Sequence, residues 1–172
     1  LYELPEAINC ANDQVVIDAS GSFSENGIIP TWIGPNNSII LHDNTLMPSV
    51  DTAGLYTLII RDGFSLCSDS VDINVYEDFE VPELFLSSDP VVLCEVNDAV
   101  LDMSTSIPLN NLSYSWSLES VALSLTDSII MVSDTGTYQV IGTSRINGCQ
   151  DTLEIGVTAL GNPIAGLEYV LN

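Results

Sequence analysis

Apolar and polar residues alternate singly along most of this chain. Val15, Ile17 and Ala19 fall on one face of an extended segment, and Ala99, Leu101 and Met103 do so further on. Tyr56, Leu58 and Ile60 form another such row. Val71, Ile73 and Val75 alternate with Ser70, Asp72 and Asn74, and Leu153, Ile155 and Val157 repeat that pattern. A period of two is the mark of half-buried strands. No segment keeps a helical period over three turns. Short strands separated by clusters of Gly, Pro, Asn and Asp predict an antiparallel β-sandwich.

The rows occur twice. Cys10 and Cys94, Asp18 and Asp102, Ser20 and Ser104, and Trp32 and Trp116 are each 84 residues apart. Beyond the tryptophans the spacing falls to 82, relating Gly54 to Gly136, Tyr56 to Tyr138 and Cys67 to Cys149. One register with a two-residue deletion aligns both copies, so the chain is an internal duplication. The break falls in YEDFEVPEL, residues 76–84, where Pro82 and repelling carboxylates favour an extended connector. This divides the chain into repeat 1 at 1–78, an acidic linker at 79–83, repeat 2 at 82–160, and 161–172 as a linker or the start of another repeat. Both ends read as cuts in a longer polypeptide.

Each repeat has one tryptophan, Trp32 or Trp116, expected to pack between the sheets. Tyr56 and Tyr138 follow glycine in Gly-x-Tyr and predict tyrosine corners, in which a buried hydroxyl bonds back to the backbone just upstream. Asp51 and Asp134 would turn the chain before them. Each repeat also has two cysteines. The expected pairs are therefore Cys10–Cys67 and Cys94–Cys149, each closing a loop worth about 4 kcal/mol by chain entropy. A bridge between repeats would sink the two-domain division. Disulfides persist in oxidising compartments, which places the chain outside the cytoplasm.

The charge narrows the partners. There are 24 acidic residues against two arginines, with no lysine, for a net charge of −22. Such a chain repels phosphate backbones and anionic headgroups, so neither nucleic acid nor membrane insertion is expected, and no apolar run reaches spanning length. Without lysine, no Lys–Asn isopeptide lock can form. Catalysis is not expected either. The sole histidine, His42, lies in a polar turn, and the acids spread over both repeats, 14 in residues 1–83 and 10 beyond. Glu77, Asp78, Glu80 and Glu83 at the junction are the candidate calcium ligands, since hard cations take clustered oxygens; no other cofactor is expected.

With these residues in place, the chain resembles the PKD-like and immunoglobulin-like repeats of large secreted Bacteroidota surface proteins, the gliding-type adhesins and appendages exported as type IX secretion cargo. The resemblance rests on Cys94, LDMS at 101–104, Trp116, GTYQV at 136–140 and NGC at 147–149; repeat 1 has SLC at 65–67 instead. The W-D-F-G-D-G core of a PKD domain is missing. Leu58 and Val140 stand where an immunoglobulin domain has its second cysteine, two residues after the tyrosine. The resemblance implies two tandem immunoglobulin-like (PKD-like) β-sandwiches, each with one internal disulfide, displayed extracellularly or at the cell surface.

The function so implied is a non-enzymatic structural or interaction repeat of an adhesin, fibre or appendage. Its partners would be neighbouring repeats of the same chain and, in a fibre, identical subunits. The alternative is a carbohydrate- or ligand-binding module of an exported enzyme. Asp51-Thr52-Ala53, Asp69-Ser70-Val71, Asp127-Ser128-Ile129 and Asp151-Thr152-Leu153 resemble the Bacteroidota O-glycosylation motif. Asn36 and Asn111 begin N-x-Ser sequons. The terminal GLEYVLN is expected to pack on a neighbouring domain by strand addition.

Overall fold

The computed structural model describes residues 7–35, 40–87, 92–94 and 98–160, with backbone alone at Leu41, Val92–Cys94 and Leu160. The expected packing of GLEYVLN and the sequon at Asn36 lie outside the described residues. Every regular element among those described is a strand. The chain divides into two compact units, residues 1–80 with 147–149, and residues 81–146 with 150–172.

The first unit contains β1 (Ile8–Asn9), β2 (Val15–Val16), β3 (Ile28–Ile33), β4 (Ile40–Leu41), β5 (Ser49–Val50), β6 (Gly54–Asp62), β7 (Ser68–Val75) and β8 (Glu77–Asp78). One sheet runs β2-β5-β4 and the other β3-β6-β7. β1 lies parallel to β8, Ile8 opposite Glu77 and Asn9 opposite Asp78. The alternating rows meet between the sheets, where Val15, Ile17, Trp32, Val50, Tyr56, Leu58 and Val75 form a buried cluster. Val71, at the start of its row, stays largely exposed.

The second unit contains β9 (Val92–Cys94), β10 (Ala99–Asp102), β11 (Leu112–Leu118), β12 (Val121–Leu123), β13 (Ile129–Val132), β14 (Gly136–Ser144) and β15 (Gln150–Leu160). β10 pairs with β13, and the larger sheet runs β12-β11-β14-β15-β9. β9 is parallel to β15, with Cys94 opposite Leu160. Leu101, Met103, Trp116, Ile130, Tyr138, Val140 and Ile155 are buried together. Each unit thus buries the same duplicated rows in a core of its own.

The Gly-x-Tyr glycines have a steric cause. Gly54 and Gly136 have φ of +139° and +143°, a region L-residues avoid. A Cβ on Gly54 would stand 2.6 Å from Pro35 Cγ, and one on Gly136 would stand 2.9 Å from Leu118 Cδ1. Two residues later the tyrosine hydroxyl closes the corner. Tyr56 donates to the Thr52 carbonyl at 2.7 Å, and Tyr138 to that of Asp134 at 3.1 Å.

The disulfides differ from the expected pairs, and the bridge runs between the repeats, the outcome expected to sink the two-domain division; the two buried cores are nonetheless separate. Cys10 bonds Cys149, so neither Cys10–Cys67 nor Cys94–Cys149 forms, and Cys67 is free and exposed. The strand layout is the reason. Cys67 begins β7, whereas Cys10 follows β1, which pairs with β8 beyond the other end of β7. At about 3.3 Å per residue, the ten residues from Cys67 to Glu77 span roughly 30 Å, and a disulfide needs Cα atoms within about 7 Å. Repeat 2 has the same layout, since Cys94 pairs with Leu160 at the far end of β15 from Cys149. Each repeat holds its two cysteines at opposite ends of one sandwich. No internal disulfide joins its sheets.

Candidate functional site

Three residues of repeat 2, Asn147–Cys149, belong to the first unit, where they form a polar cluster. They are the turn between β14 and β15. The Asn147 amide donates to Asp78 Oδ1 at 2.9 Å and to the Glu80 carbonyl at 2.8 Å. Its Oδ1 accepts the Cys149 amide at 3.1 Å, and its carbonyl accepts the Ala11 amide at 3.1 Å. Asn147 is buried, so these bonds replace the water it loses.

Gly148 lets the turn come close. Its φ is +74°, and a Cβ there would stand 2.6 Å from Ala11 Cβ and 3.0 Å from the Ala11 amide nitrogen. On the other side Asn9 Oδ1 accepts the amides of Ala11 and Asn12 and holds the loop that carries Cys10. The Cys10 and Cys149 Cα atoms end 4.9 Å apart, and Cys149 is fully buried. The signal for this site was present in NGC. An asparagine whose side chain makes three of these bonds and a glycine that permits contact set it apart from SLC in repeat 1.

The SLC turn, between β6 and β7, repeats features of this turn. Leu66 has φ of +59°, an unusual conformation for a branched residue. Ser65 Oγ accepts the Cys67 amide at 3.4 Å, as Asn147 accepts that of Cys149. Asp62 braces the turn. It accepts the hydroxyl of Ser24, the amide of Asn26, the backbone amides of Phe64 and Ser65 and the Ser65 hydroxyl. Those donors, Ser24 first, hold its carboxyl well below the usual carboxylate range. Phe64, Leu66 and Phe23 are exposed around Cys67 at 85%, 67% and 80%. A shallow cleft of about 310 Å³ lies beside them, lined by Phe23, Ile28, Asp62 and Cys67 among others.

Each of the junction acids has its own place in its unit. Asp78 serves Asn147 and also accepts the Glu80 amide at 3.2 Å. Glu77 lies exposed in β8, and Glu83 pairs through its backbone with Ile107. No cluster of three metal-ligating side chains occurs among the described residues. The tryptophans sit in the two cores. Trp32 Nε1 donates to the Thr45 carbonyl at 2.9 Å, and Trp116 Nε1 to that of Asp127 at 3.1 Å. His42 is exposed in its turn with φ of +59°. Of the candidate glycan acceptors, Ser70, Thr152 and Asn111 are exposed, and Thr52 and Ser128 half-buried.

A second concavity, about 330 Å³, opens on the first unit between Ile17, Ala19, Trp32, Val71, Ile73 and Tyr76. Against the matching cluster of the second unit, Leu84 and Leu86 are packed.

No protein-family model and no curated protein matches the sequence. Solved structures do. The three N-terminal domains of the bacteriophage RB49 highly immunogenic outer capsid protein (Hoc) align over 86% of this chain and 54% of that one, at 19% identity and a TM-score of 0.50. The fold is immunoglobulin-like. Extracellular domains 3–5 of Drosophila OTK align over 93% of this chain and 57% of that one, at 11% identity and a TM-score of 0.45. A titin tandem of immunoglobulin domains aligns over 87% and 88%, at 11% and 0.37. The chain spans little more than half the length of the first two.

Proposed function

We propose that this chain is a non-enzymatic interaction repeat of an extracellular surface protein, an adhesin, fibre or appendage of the type IX-exported Bacteroidota kind. The observation that carries this reading is the bond from Cys10 to Cys149, a covalent tie between one repeat and the next. Such a tie is kept in oxidising surroundings and suits repeats that must stay linked under load. The outer capsid protein of bacteriophage RB49, whose domains share this fold, supports a surface setting. Neighbouring repeats and identical subunits are the partners. The experiment is protease shaving and antibody labelling of intact cells that carry the parent protein. The repeat should be labelled and shed without lysis; a repeat reached only after lysis would refute the reading. The parent gene should carry further repeats and a C-terminal sorting domain.

The cleft beside Trp32 and Tyr76 favours a second reading, a binding module of an exported enzyme. Titration with oligosaccharides separates the two. Saturable heat, lost in Tyr76→Ala, would favour the module; none would favour the interaction repeat.

A further inference from the structure

Cys67 and Cys149 occupy the same place in the two repeats. Each closes the turn between the last two long strands, after a residue held at positive φ, with its amide bonded to the side chain two residues before it. Cys149 is bonded to Cys10, the first cysteine of a repeat. Cys67 carries the same preset turn and no bond, amid the exposed side chains of Phe23, Phe64 and Leu66. Apolar groups grouped on a surface mark a contact site.

We propose that the Cys67 tip is the acceptor half of a repeat-to-repeat bridge and takes, in a disulfide, the first cysteine of another copy of repeat 2, the residue that stands here as Cys94. This names the partner within the interaction-repeat reading and rests on it.

The polarity of the two ends selects the partner. The bonded end is polar on both sides. Asn9 pairs with Asp78 beside Cys10, and Asn147 reaches Asp78 from the tip. At the corresponding place in repeat 2, Leu93 pairs with Ala159, next to Cys94 and Leu160. The Cys67 tip has changed in the same direction. Phe64, Ser65 and Leu66 replace Ile146, Asn147 and Gly148. The apolar residues of the tip thus have a partner sequence of the same kind, Val92-Leu93 before Cys94, while the polar tip already has its polar one. Leu66 cannot approach a backbone as Gly148 approaches Ala11. The new contact is side chain on side chain.

The chemistry is thiol–disulfide exchange with a small disulfide such as oxidised glutathione as oxidant. One cysteine first forms a mixed disulfide and releases one glutathione thiolate. The partner thiolate then attacks the protein sulfur, the S–S bond between repeats forms, and the second glutathione leaves. Two protein thiols are oxidised, one glutathione disulfide is reduced, and the thiol protons pass to the departing thiolates.

The test uses the intact chain, pre-reduced under mild conditions and held in a reduced/oxidised glutathione mixture, then resolved on a non-reducing gel. Head-to-tail joining should give a ladder of dimers, trimers and longer species. Cys67→Ser and Cys94→Ser should each abolish the ladder, and mixing the two variants should give one heterodimer, with a Cys67–Cys94 peptide by mass spectrometry. No cross-linked species in the unmodified chain would overturn the proposal. So would Cys94→Ser alone dimerising through Cys67 as well as the mixture does, because then the thiol is merely exposed. Leu66→Asp should lose the ladder while Cys67 still reacts with iodoacetamide; an undiminished ladder would overturn the apolar docking. The cell-surface reading fails separately. A chain displayed on cells but without a ladder loses this inference alone, and a ladder from a chain never displayed loses the surface reading alone.

Discussion

Leu58 and Val140 do with methyl groups what a cysteine does in antibody domains. They lie two residues after the corner tyrosine, 1% and 0% exposed, in the same buried clusters as Ile17 and Leu101. Each sandwich is therefore closed by packing alone, and its tolerance for lost volume is small. Leu58→Ala should cost about 2–5 kcal/mol in urea unfolding. Tyr138→Phe removes only the bond to Asp134 and should cost about 0.5–1.5 kcal/mol. A Tyr138→Phe cost as large as that of Leu58→Ala would mean that the ring, not the hydroxyl, had been displaced. At this scale the core was legible, because burial leaves a period in the sequence. Ile17, Leu58, Leu101 and Val140 all stand in rows that alternate with polar residues. Asp18-x-Ser20 and Asp102-x-Ser104 were visible as a repeated pair. The structure gives them a job, with each carboxylate accepting the serine amide at 2.8 Å.

The elements that sequence reasoning missed are the shortest ones. β1 and β8 have two residues each and pair in parallel. A two-residue strand has no period to read, yet this pairing fixes which end of the sandwich holds Cys10. Knowing only that each repeat owns two cysteines, the economical guess is one bridge per repeat; the length of β7 forbids it. Trypsin can check this directly, since it cuts only at Arg61 and Arg145. Without reductant, fragment 1–61 should stay joined to 146–172 and leave 62–145 apart. The internal pairs would instead hold all three fragments together. The β6–β7 hairpin tip also makes a pH prediction. Asp62 is held below its ordinary value of 3.8, chiefly by the Ser24 hydroxyl and then by the Ser65 and Phe64 amides. A carboxylate with a depressed folded pKa contributes stability above its unfolded pKa and loses it as pH falls toward the folded one. Below about pH 4, the protection of the Phe64 and Ser65 amides relative to their intrinsic exchange rates should therefore begin to fall, and Asp62→Asn should show the lower protection already at neutral pH. Protection that stays constant from pH 5 to pH 2 would show that Asp62 does not brace the tip.

For the whole molecule, charge and covalent closure act in opposite senses. A net charge of −22 on 172 residues makes the compact state repel itself. Salt shortens the Debye length from about 30 Å at 0.01 M to about 8 Å at 0.15 M, so the melting temperature should climb over that range. No rise would mean that the carboxylates are too dispersed to matter. The Cys10–Cys149 bond works on the unfolded chain instead. It joins residues 139 apart in sequence, and a closed loop of that length loses about 5 kcal/mol of chain entropy at 25 °C in the simplest model. A cross-link inside either repeat would close a loop less than half as long, but the entropy grows only with the logarithm of loop length. What the observed pairing adds over the expected one is consequently less a matter of energy than of what it ties. It makes the tip of the second repeat's last hairpin part of the first unit's fold. The double variant Cys10→Ser/Cys149→Ser leaves Asn147 and Gly148 in place and removes only the covalent term. It should lose about 2–5 kcal/mol by denaturant unfolding, whereas Asn147→Ala with the bond intact loses only side-chain bonds. If the double variant unfolds at the same denaturant concentration as the parent, the polar contacts of Asn147 alone hold the turn, and the bond merely locks what already stands.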